Sequence, residues 1–218
     1  MKYVVINGLV CNPQVLNSWN LENYLLVDIN AREKINLEDL AQEISLHATA
    51  ATTILAYSCG SILGMKLLND YPDKFKHLIA INSTPYFMQQ DNWLGIKKEA
   101  LDNLQLRLGK VKQLSTEQFQ RYFLRLAATP LGLSKEELNH YLNPQATFTN
   151  LEYWLQLIKK SDLRALAKEL KAKITWINAS QDLLVPAPQQ HANHILPLKH
   201  HLDVANPLLV MRIHQLCD

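Results

Sequence analysis

The sequence predicts an α/β domain in which a parallel sheet, covered by helices on both faces, carries an inserted helical segment. Short apolar runs alternate with stretches whose apolar residues recur at helical spacing, and this alternation indicates parallel strands joined by helices. Between about residues 98 and 170 the pattern changes to amphipathic helices alone. We therefore assign 1–97 and 172–218 to the α/β core, and 98–171 to a helical lid.

Each element of the core is predicted from a local pattern. Short apolar runs predict five strands, at 4–6, 24–29, 52–57, 77–83 and 173–180. Helical spacing predicts helices at 35–48, 60–69 and 207–216. Asn7-Gly8 ends the first strand, Pro72 stops the second helix, and Pro207 suits the first turn of the last helix.

The inserted segment contains four amphipathic patterns and an excess of positive charge. The patterns are "EALDNLQLRL", "STEQFQRYFLRLAA", "SKEELNHYL" and "NLEYWLQLIKKSD". From residue 107 to 171, eleven Lys or Arg residues stand against six Asp or Glu residues, so this stretch carries a charge of +5. Two interpretations are open, a solvated helix face and a docking surface for an acidic partner.

The composition is that of a folded protein with a substantial core. Of 218 residues, 48% are hydrophobic and 19% are charged, which argues against a disordered chain. A net charge of +2 gives no indication of nucleic-acid or membrane binding, and no apolar stretch approaches the roughly 20 residues that span a bilayer. The N-terminal apolar run is too short for a signal peptide, so we expect a cytoplasmic protein.

Cysteine, histidine and glycine patterns argue against a metal or cofactor. The three cysteines are widely spaced, which argues against a disulfide framework and a Cys-rich zinc site. His191 and His194 are one helical turn apart, a spacing that can chelate, but no neighbouring Cys or Glu completes a set. The six glycines form no phosphate-binding loop. We predict neither a metal nor a cofactor.

The stretch "ILAYSCGSILG" places Ser58 between a predicted strand and a predicted helix. Ala56 and Gly60 flank it at two residues' distance, which is the pattern of a nucleophile elbow. Small residues are needed there because the strand and helix backbones nearly touch. The alternatives are a serine that caps the helix and a nucleophilic Cys59, although Cys59 lies one position past the apex of the turn.

A serine nucleophile requires a base, and the base requires an acid that orients it. Asp182 follows the fifth predicted strand and suits the acid, with a simple turn residue as the alternative. His200 and His201 precede the last helix, where a base belongs. The backbone N–H groups of Leu9 and Cys59 are the predicted oxyanion donors.

Several stretches carry a resemblance to a known family. "YSCGS" and "YPDKFKHLIAINS" are similar to the elbow region of the α/β-hydrolases. "STPYFMQQDNWLGIK" (83–97) and "KKSDLRALAKELKAKITWINASQDLLVP" (159–186) resemble one branch of them, the pimeloyl-acyl-carrier-protein methyl ester esterases of biotin synthesis. The resemblance covers most of the chain and is strongest over 54–101 and 159–186. It implies an α/β-hydrolase fold with a mainly parallel sheet and a helical lid.

The resemblance also implies roles for individual residues. Ser58 corresponds to the nucleophile and Asp182 to the acid. The base corresponds to a histidine of the 200–201 pair, and the family's His-x6-Pro spacing, counted back from Pro207, favours His200 over His201.

Members of the family hydrolyse the methyl ester of a pimeloyl chain carried on acyl carrier protein, and their lid binds that carrier. The resemblance therefore implies acyl carrier protein as the partner and requires no cofactor. Three basic residues of the insertion are candidates for docking it: Arg121, Arg125 and Lys135. Four aromatic residues are candidates for an acyl channel, with core packing as the alternative: Trp93, Phe123, Tyr122 and Trp154.

Two rival functions stay open. One is a general short-chain carboxylesterase or thioesterase with the same fold. The other is a binding protein that kept the fold without catalysis. The second arises because Asn7-Gly8-Leu9 stands where the family usually has His-Gly-Trp, so the turn that holds the predicted oxyanion donor lacks its aromatic residue.

Overall fold

The described part of the chain forms one six-stranded sheet in which all neighbouring strands are parallel. The computed structural model describes residues 1–31, 36–110, 112–115, 117–119, 121–122, 135–182, 185, 191–198 and 204–217. The strand order is β2-β1-β3-β4-β5-β6. The strands are β1 Tyr3–Ile6, β2 Tyr24–Val27, β3 Thr52–Tyr57, β4 Phe75–Ile81, β5 Ile174–Ala179 and β6 His194–Leu196.

Helices cover both faces of this sheet, as predicted. The helices are α1 Leu37–His47, α2 Gly60–Asp70, α3 Lys98–Gly109, α4 Lys135–Tyr141, α5 Phe148–Lys160, α6 Arg164–Glu169 and α7 Pro207–Cys217. Short 3-10 helices occupy Pro13–Trp19 and Lys171–Lys173. None of the helices in the described ranges has the length and apolar character needed to cross a membrane.

Successive strand residues point to opposite faces, so the sheet divides the apolar interior into two cores. Val4 and Ile6 of β1 pack with residues of α1, α2, α3 and α5. Tyr3 and Val5, the alternate residues, pack with the 3-10 helix Pro13–Trp19 and with α7. The central strands are apolar on both faces because both faces are buried.

Most predicted elements of the core are confirmed within two residues at each end. Three differences stand out. The short strand β6 and the helix α6 were not predicted, and His194 begins β6 instead of sharing a helical turn with His191. In the insertion α3, α4 and α5 match predicted patterns, whereas most of the pattern at 115–128 lies outside the described residues.

The strand order places a crevice at one defined point of the sheet. From β1 the chain adds β2 on one side, and then returns to add β3 on the other side. The connections that follow β1 and β3 therefore leave their strands in opposite directions, which opens a gap at the carboxyl ends of these two neighbours. Ligands of open α/β sheets bind at such switch points. The turn containing Leu9 follows β1, and Ser58 follows β3.

Candidate active site

Ser58 lies on a strained turn between β3 and α2. Its φ of 52° falls in the left-handed region, which costs a residue with a side chain about 1–3 kcal/mol. The Ser58 N–H donates to the carbonyl oxygen of Ile81 at 2.8 Å, and its carbonyl accepts from the Ser61 N–H at 3.1 Å. This strand–turn–helix geometry is that of a nucleophile elbow.

Glycines make this turn possible because the neighbouring backbones leave no room for a Cβ atom. A Cβ on Gly60 would overlap the carbonyl oxygen of Asn7 and approach Ile6 Cγ2 to 3.0 Å. A Cβ on Gly8 would lie 2.9 Å from the Ser58 Cβ. The turns after β1 and β3 therefore meet at Ser58, and each carries a glycine at the point of contact.

The backbone N–H groups of Leu9 and Cys59 both face the Cys59 sulfur, one residue past Ser58. Burial raises the pKa of the Cys59 thiol to about 12. The N–H groups of Leu9 and of Cys59 itself act in the opposite direction, since both face the sulfur as hydrogen-bond donors. Both N–H groups therefore lie near the turn that carries Ser58, and their role as oxyanion donors stays a prediction. With so high a pKa the thiol is protonated at neutral pH, so Cys59 is a poor nucleophile.

Asn7, which stands where the resemblance predicts a histidine, has partners on three sides. Its Nδ2 donates to the Asp28 carboxylate at 2.8 Å and to the Cys11 carbonyl at 2.7 Å, while its Oδ1 accepts from the Ile29 N–H at 2.9 Å. Asn7 therefore connects the turn after β1 to the segment after β2. Sequence reasoning missed Asp28, whose only indication was a group of asparagines near the ends of the first two strands.

The carboxyl ends of β4 and β5 are joined by a reciprocal pair of asparagines. Asn82 Oδ1 accepts from the Ala179 N–H at 2.9 Å, and Asn178 Oδ1 accepts from the Ser83 N–H at 3.1 Å. Asn82 itself has a left-handed φ of 46°. These bonds hold the end of β5 against the end of β4 at the edge of the sheet where Ser58 lies.

Asp182 lies just beyond β5, at this same edge of the sheet. Its Oδ1 accepts from the Val185 N–H at 2.8 Å, and only 9% of the residue is exposed. Burial, followed by electrostatic interactions with Cys11 and Asp182, raises the pKa of Tyr57 well above its ordinary value. The Asp182 carboxyl thus interacts with the phenol of Tyr57, the residue before Ser58, and its role as the acid stays a prediction.

His200 and His201 lie outside the described residues, so the base stays a prediction. The nearest described residue before them is Leu198, whose carbonyl accepts from the Gln181 N–H at 3.1 Å. Gln181 is the immediate neighbour of Asp182. The chain that leads into the histidine pair thus runs beside the predicted acid.

Comparison with curated proteins identifies relatives with one shared description. A pimeloyl-acyl-carrier-protein methyl ester esterase from Wigglesworthia glossinidia brevipalpis is 26% identical over 188 residues, which cover 83% of this chain and 73% of that protein. The esterase of the same description from Photorhabdus laumondii is 29% identical over 159 residues, or 70% of this chain and 59% of that protein. The matches thus span about three fifths to three quarters of these relatives. The sequence matches no family model.

Solved structures match the chain over nearly its whole length. A hydrolase from Oleispira antarctica superposes with a TM-score of 0.73 at 15% identity, over 99% of this chain and 90% of that one. An esterase from Exiguobacterium antarcticum gives 0.73 at 16% identity, over 100% and 92%. The chain has the α/β-hydrolase fold. The resemblance predicted from the sequence is confirmed by both comparisons.

Within this hydrolase fold, Trp93 lies in the excursion that follows β4, and it is half-buried in a cluster of rings. It stacks on His191 with centroids 5.4 Å apart, and Trp176 meets the same histidine edge-on at 5.0 Å. The guanidinium of Arg164 lies 5.5 Å from the Trp93 ring centroid. The Nε1 of Trp93 donates to the Tyr86 carbonyl at 2.7 Å. Trp93 is therefore held firmly, and its contact with an acyl chain stays a prediction.

The other predicted contacts of the hydrolase fall into three groups. Trp154 is fully buried and its Nε1 donates to the Ile29 carbonyl at 3.1 Å, so it belongs to the core. Arg121 is exposed and pairs with Glu117 at 3.3 Å. Phe123, Arg125 and the Lys135 side chain lie outside the described residues.

Proposed function

We propose that this chain is a serine carboxylic ester hydrolase. The observation that carries the proposal is the left-handed Ser58, buried at the β1/β3 switch point beside the turn that contains Leu9. The left-handed backbone of such a turn costs conformational energy, and the turn presents the serine Oγ above the sheet, where it can react. The esterases among the relatives and solved structures support the same activity.

In the proposed acylation step, Ser58 Oγ attacks the ester carbonyl carbon. His200, with His201 as the alternative, takes the hydroxyl proton, and Asp182 holds the imidazole in the tautomer that can accept it. The Leu9 and Cys59 amides donate to the oxyanion of the tetrahedral intermediate. When the intermediate collapses, the ester C–O bond breaks and the alcohol leaves with the proton from the imidazolium.

Deacylation repeats these steps with water as the nucleophile. The histidine removes a proton from water, which attacks the acyl-enzyme carbonyl, and the same two amides stabilise the second oxyanion. Ser58 Oγ leaves with the proton, and the carboxylic acid is released. The cycle needs no metal or cofactor.

For the substrate, we propose the methyl ester of pimeloyl-acyl carrier protein, with methanol as the alcohol product. The shared description of the curated relatives supports this choice. We assign 98–171 to the lid that receives the carrier, with Arg121, Arg125 and Lys135 as docking residues and Trp93 and Phe123 as acyl contacts. A cytoplasmic location stays a prediction.

The charge of the insertion supports an acidic protein partner. Residues 107–171 carry a charge of +5, and Lys160, Lys168 and Lys171 are exposed. An acidic carrier would be attracted to such a surface, and the effect would weaken as salt screens the charges. We therefore expect KM for a carrier-linked ester to rise with ionic strength, while KM for a small free ester stays constant.

Hydrolysis of p-nitrophenyl butyrate and of carrier-linked pimeloyl methyl ester tests the proposal. Ser58→Ala is expected to lower kcat for both by at least about a thousandfold, because the nucleophile is lost. The matched control is Ser61→Ala, the other serine of the same stretch, whose hydroxyl lies 2.5 Å from that of Ser83 and which should retain most activity. Esterase activity that survives Ser58→Ala contradicts the mechanism.

The two substrates also separate the rival functions. A strong preference for the carrier-linked ester supports the proposed substrate, whereas equal turnover of the free ester indicates a general esterase. A folded protein that hydrolyses neither ester contradicts the proposed function and leaves the thioesterase and the binding protein as the rivals. His200→Ala and His201→Ala, assayed in the same way, identify the base as the variant with the larger loss of kcat.

A further inference from the structure

The turn after β1 contains a second strained residue, directly beside the predicted oxyanion donor. Val10 has a φ of 50°, in the left-handed region that β-branched residues rarely adopt. Such a conformation persists only where the surrounding structure holds it, and it is typical of functional sites. Because Val10 follows Leu9, whatever holds Val10 also sets the direction of the Leu9 N–H.

Side chains from two distant segments hold this turn through its backbone. The Val10 N–H donates to Asn30 Oδ1 at 2.8 Å, and Asn30 Nδ2 donates to the Gly8 carbonyl at 3.0 Å. The Val10 carbonyl accepts from the Asn143 N–H at 2.8 Å. The peptide groups on both sides of Leu9 are thereby fixed.

Asp28 lies at the centre of these contacts. Its Oδ1 accepts from Asn7 Nδ2 at 2.8 Å, from the Asn30 N–H at 2.9 Å and from Asn143 Nδ2 at 2.9 Å. Asn143 Nδ2 also reaches Oδ2 at 2.7 Å, and Asn30 Nδ2 reaches Oδ1 at 3.2 Å. We call Asp28, Asn7, Asn30 and Asn143 the carboxylate–amide cluster.

The negative charge of Asp28 sets the orientation of each asparagine in the cluster. An ionised carboxylate only accepts hydrogen bonds, so each side chain must turn its NH2 group toward it. The amide oxygens then point outward and accept from backbone N–H groups, those of Ile29, Val10 and Gln145 respectively for Asn7, Asn30 and Asn143. One charge thus determines three amide orientations.

The Leu9 N–H differs from its neighbours in this turn. Among the described residues it has no oxygen acceptor, although it faces the Cys59 sulfur. A donor whose direction is fixed, and whose present acceptor is a weakly accepting sulfur, can bind an oxyanion with little rearrangement.

Asn143 belongs to the helical segment and brings that segment into the turn. Residues 141–143 run antiparallel to residues 10–12: Cys11 and Leu142 form a bridge, and the Asn12 N–H donates to the Tyr141 carbonyl at 2.7 Å. The end of α4 is thus attached to the backbone of the oxyanion turn.

We propose that the carboxylate–amide cluster positions the Leu9 amide for oxyanion binding, and that Asn143 makes the inserted segment part of this positioning. Asp28 and the three asparagines are positioning residues that act through the backbone and touch no substrate. The inference rests on the proposed esterase function.

Kinetics of Asp28→Asn and Asn143→Ala test the inference. Because a donor misplaced by about 1 Å loses much of its effect, kcat should fall roughly 10- to 100-fold, while KM changes by less than about twofold. Affinity for an alkyl boronic acid, whose serine adduct places an oxygen at the oxyanion position, should fall in parallel with kcat. Affinity for the product carboxylic acid should stay the same.

A double variant provides the rescue. In Asp28→Asn with Asn143→Asp, the amide at position 28 can donate to the carboxylate at 143 and still accept from Asn7 and Asn30. We expect kcat to recover to within about fivefold of the wild type, because amide orientations around position 28 are restored. No recovery would indicate that the two side chains act independently.

The control is Asn36→Ala, which removes an exposed asparagine that caps α1 by accepting from the Glu38 N–H at 3.0 Å. It should lower the melting temperature and leave kcat unchanged. Amide hydrogen exchange at Val10 gives a readout without turnover: exchange should accelerate in Asp28→Asn and Asn143→Ala, and stay slow in Asn36→Ala.

The outcomes separate the inference from the function on which it rests. If the wild type hydrolyses esters through Ser58 but both cluster variants fold and keep kcat, the inference is wrong and the function stands. If the wild type hydrolyses no ester, the function fails, and exchange at Val10 still decides whether the cluster holds the turn. Unchanged exchange in both variants overturns the inference in either case.

Discussion

The two turns that form the candidate site are held in opposite ways. The elbow at Ser58 depends on the absence of side chains, because Gly8 and Gly60 leave room for backbones that almost touch. The turn at Leu9 depends on the presence of polar side chains, because Asp28 and its asparagines bind the backbone on both sides. The turn at Ser58 is limited mainly by packing, and the turn at Leu9 is held mainly by side-chain hydrogen bonds.

This difference determines how each turn responds to change. Packing against backbone atoms has no adjustable partner, so an added methyl group must displace a strand or a helix. A hydrogen-bonded cluster can lose one member and keep part of its geometry, although each buried group left without a partner costs about 1–3 kcal/mol. Four substitutions, taken in order of decreasing effect, test this contrast.

Gly60→Val should have the largest effect. Its side chain would overlap the Asn7 carbonyl and crowd Ile6, so we expect unfolding or a loss of more than about 4 kcal/mol, with no esterase activity. Chemical denaturation measures the loss. Gly109→Val, at the end of α3 where the described chain leaves open space, is the control and should be nearly neutral. A stable, active Gly60→Val protein would mean that the elbow is not sterically fixed.

Asn7→Leu should cost less and leave a folded protein. It removes the partners of the Ile29 N–H and the Cys11 carbonyl and one donor to Asp28, which together amount to about 2–4 kcal/mol. Urea denaturation gives the stability, and kcat should fall because the turn loses support. A loss below about 1 kcal/mol would show that water or neighbouring groups replace these bonds.

Gly8→Ala probes the point where the two turns meet. The new methyl group would lie 2.9 Å from the Ser58 Cβ and 3.1 Å from Tyr57 Cδ1, so Ser58 must shift by a few tenths of an ångström. We expect a stability loss of about 1–2 kcal/mol together with a fall in kcat of about tenfold. Steady-state kinetics beside thermal unfolding measures both. A variant that loses stability but keeps kcat would separate packing from catalysis at this point.

Cys59→Ala should have the smallest effect on rate. The thiol is buried and protonated at neutral pH, so kcat between pH 7 and 8 should stay within about twofold and stability within about 1 kcal/mol. Complete loss of activity in Cys59→Ala would instead indicate that the Cys59 thiol is the nucleophile.

The stability of Cys59→Ala should also depend on pH differently from that of the wild type. Burial raises the pKa of Cys59, and likewise of Cys11, from 9.0 to about 12, so above pH 9 the unfolded chain loses these protons first. Stability should therefore fall as pH rises from about 9 to 12, by up to about 1.4 kcal/mol per pH unit for each thiol. Urea denaturation over this range should show a shallower slope for Cys59→Ala. Cys11→Ala is the control and should flatten the slope similarly.

The sequence predicted both turns, but it indicated only the small residues around Ser58 and missed the side chains that hold the turn at Leu9. Small residues on either side of Ser58 lie within a few positions of each other, so their meaning is visible in one short stretch. The members of the cluster lie at positions 7, 28, 30 and 143, and no local pattern connects them. Asparagine near a strand end is also common in ordinary turns, so each residue alone carries little information.

Strands were likewise predicted well only where the pattern that defines them lies within one short stretch of sequence. The long apolar strands β3 and β4 were predicted within two residues of their ends. The strand β6 has three residues, and its sequence His194–Leu196 contains too few apolar positions to show a period. Its pairing with β5 defines it, and pairing is a tertiary property.

The antiparallel contact between residues 10–12 and 141–143 has a consequence for the order of folding. The two segments are separated by about 130 residues, and contacts of such long range form late because a large loop must close first. On the ribosome, the Ser58 turn has its neighbouring strands as soon as β4 emerges, while the turn at Leu9 waits for Asn143. The nascent chain therefore holds the proposed nucleophile, Ser58, well before it completes the turn that carries the proposed oxyanion donor.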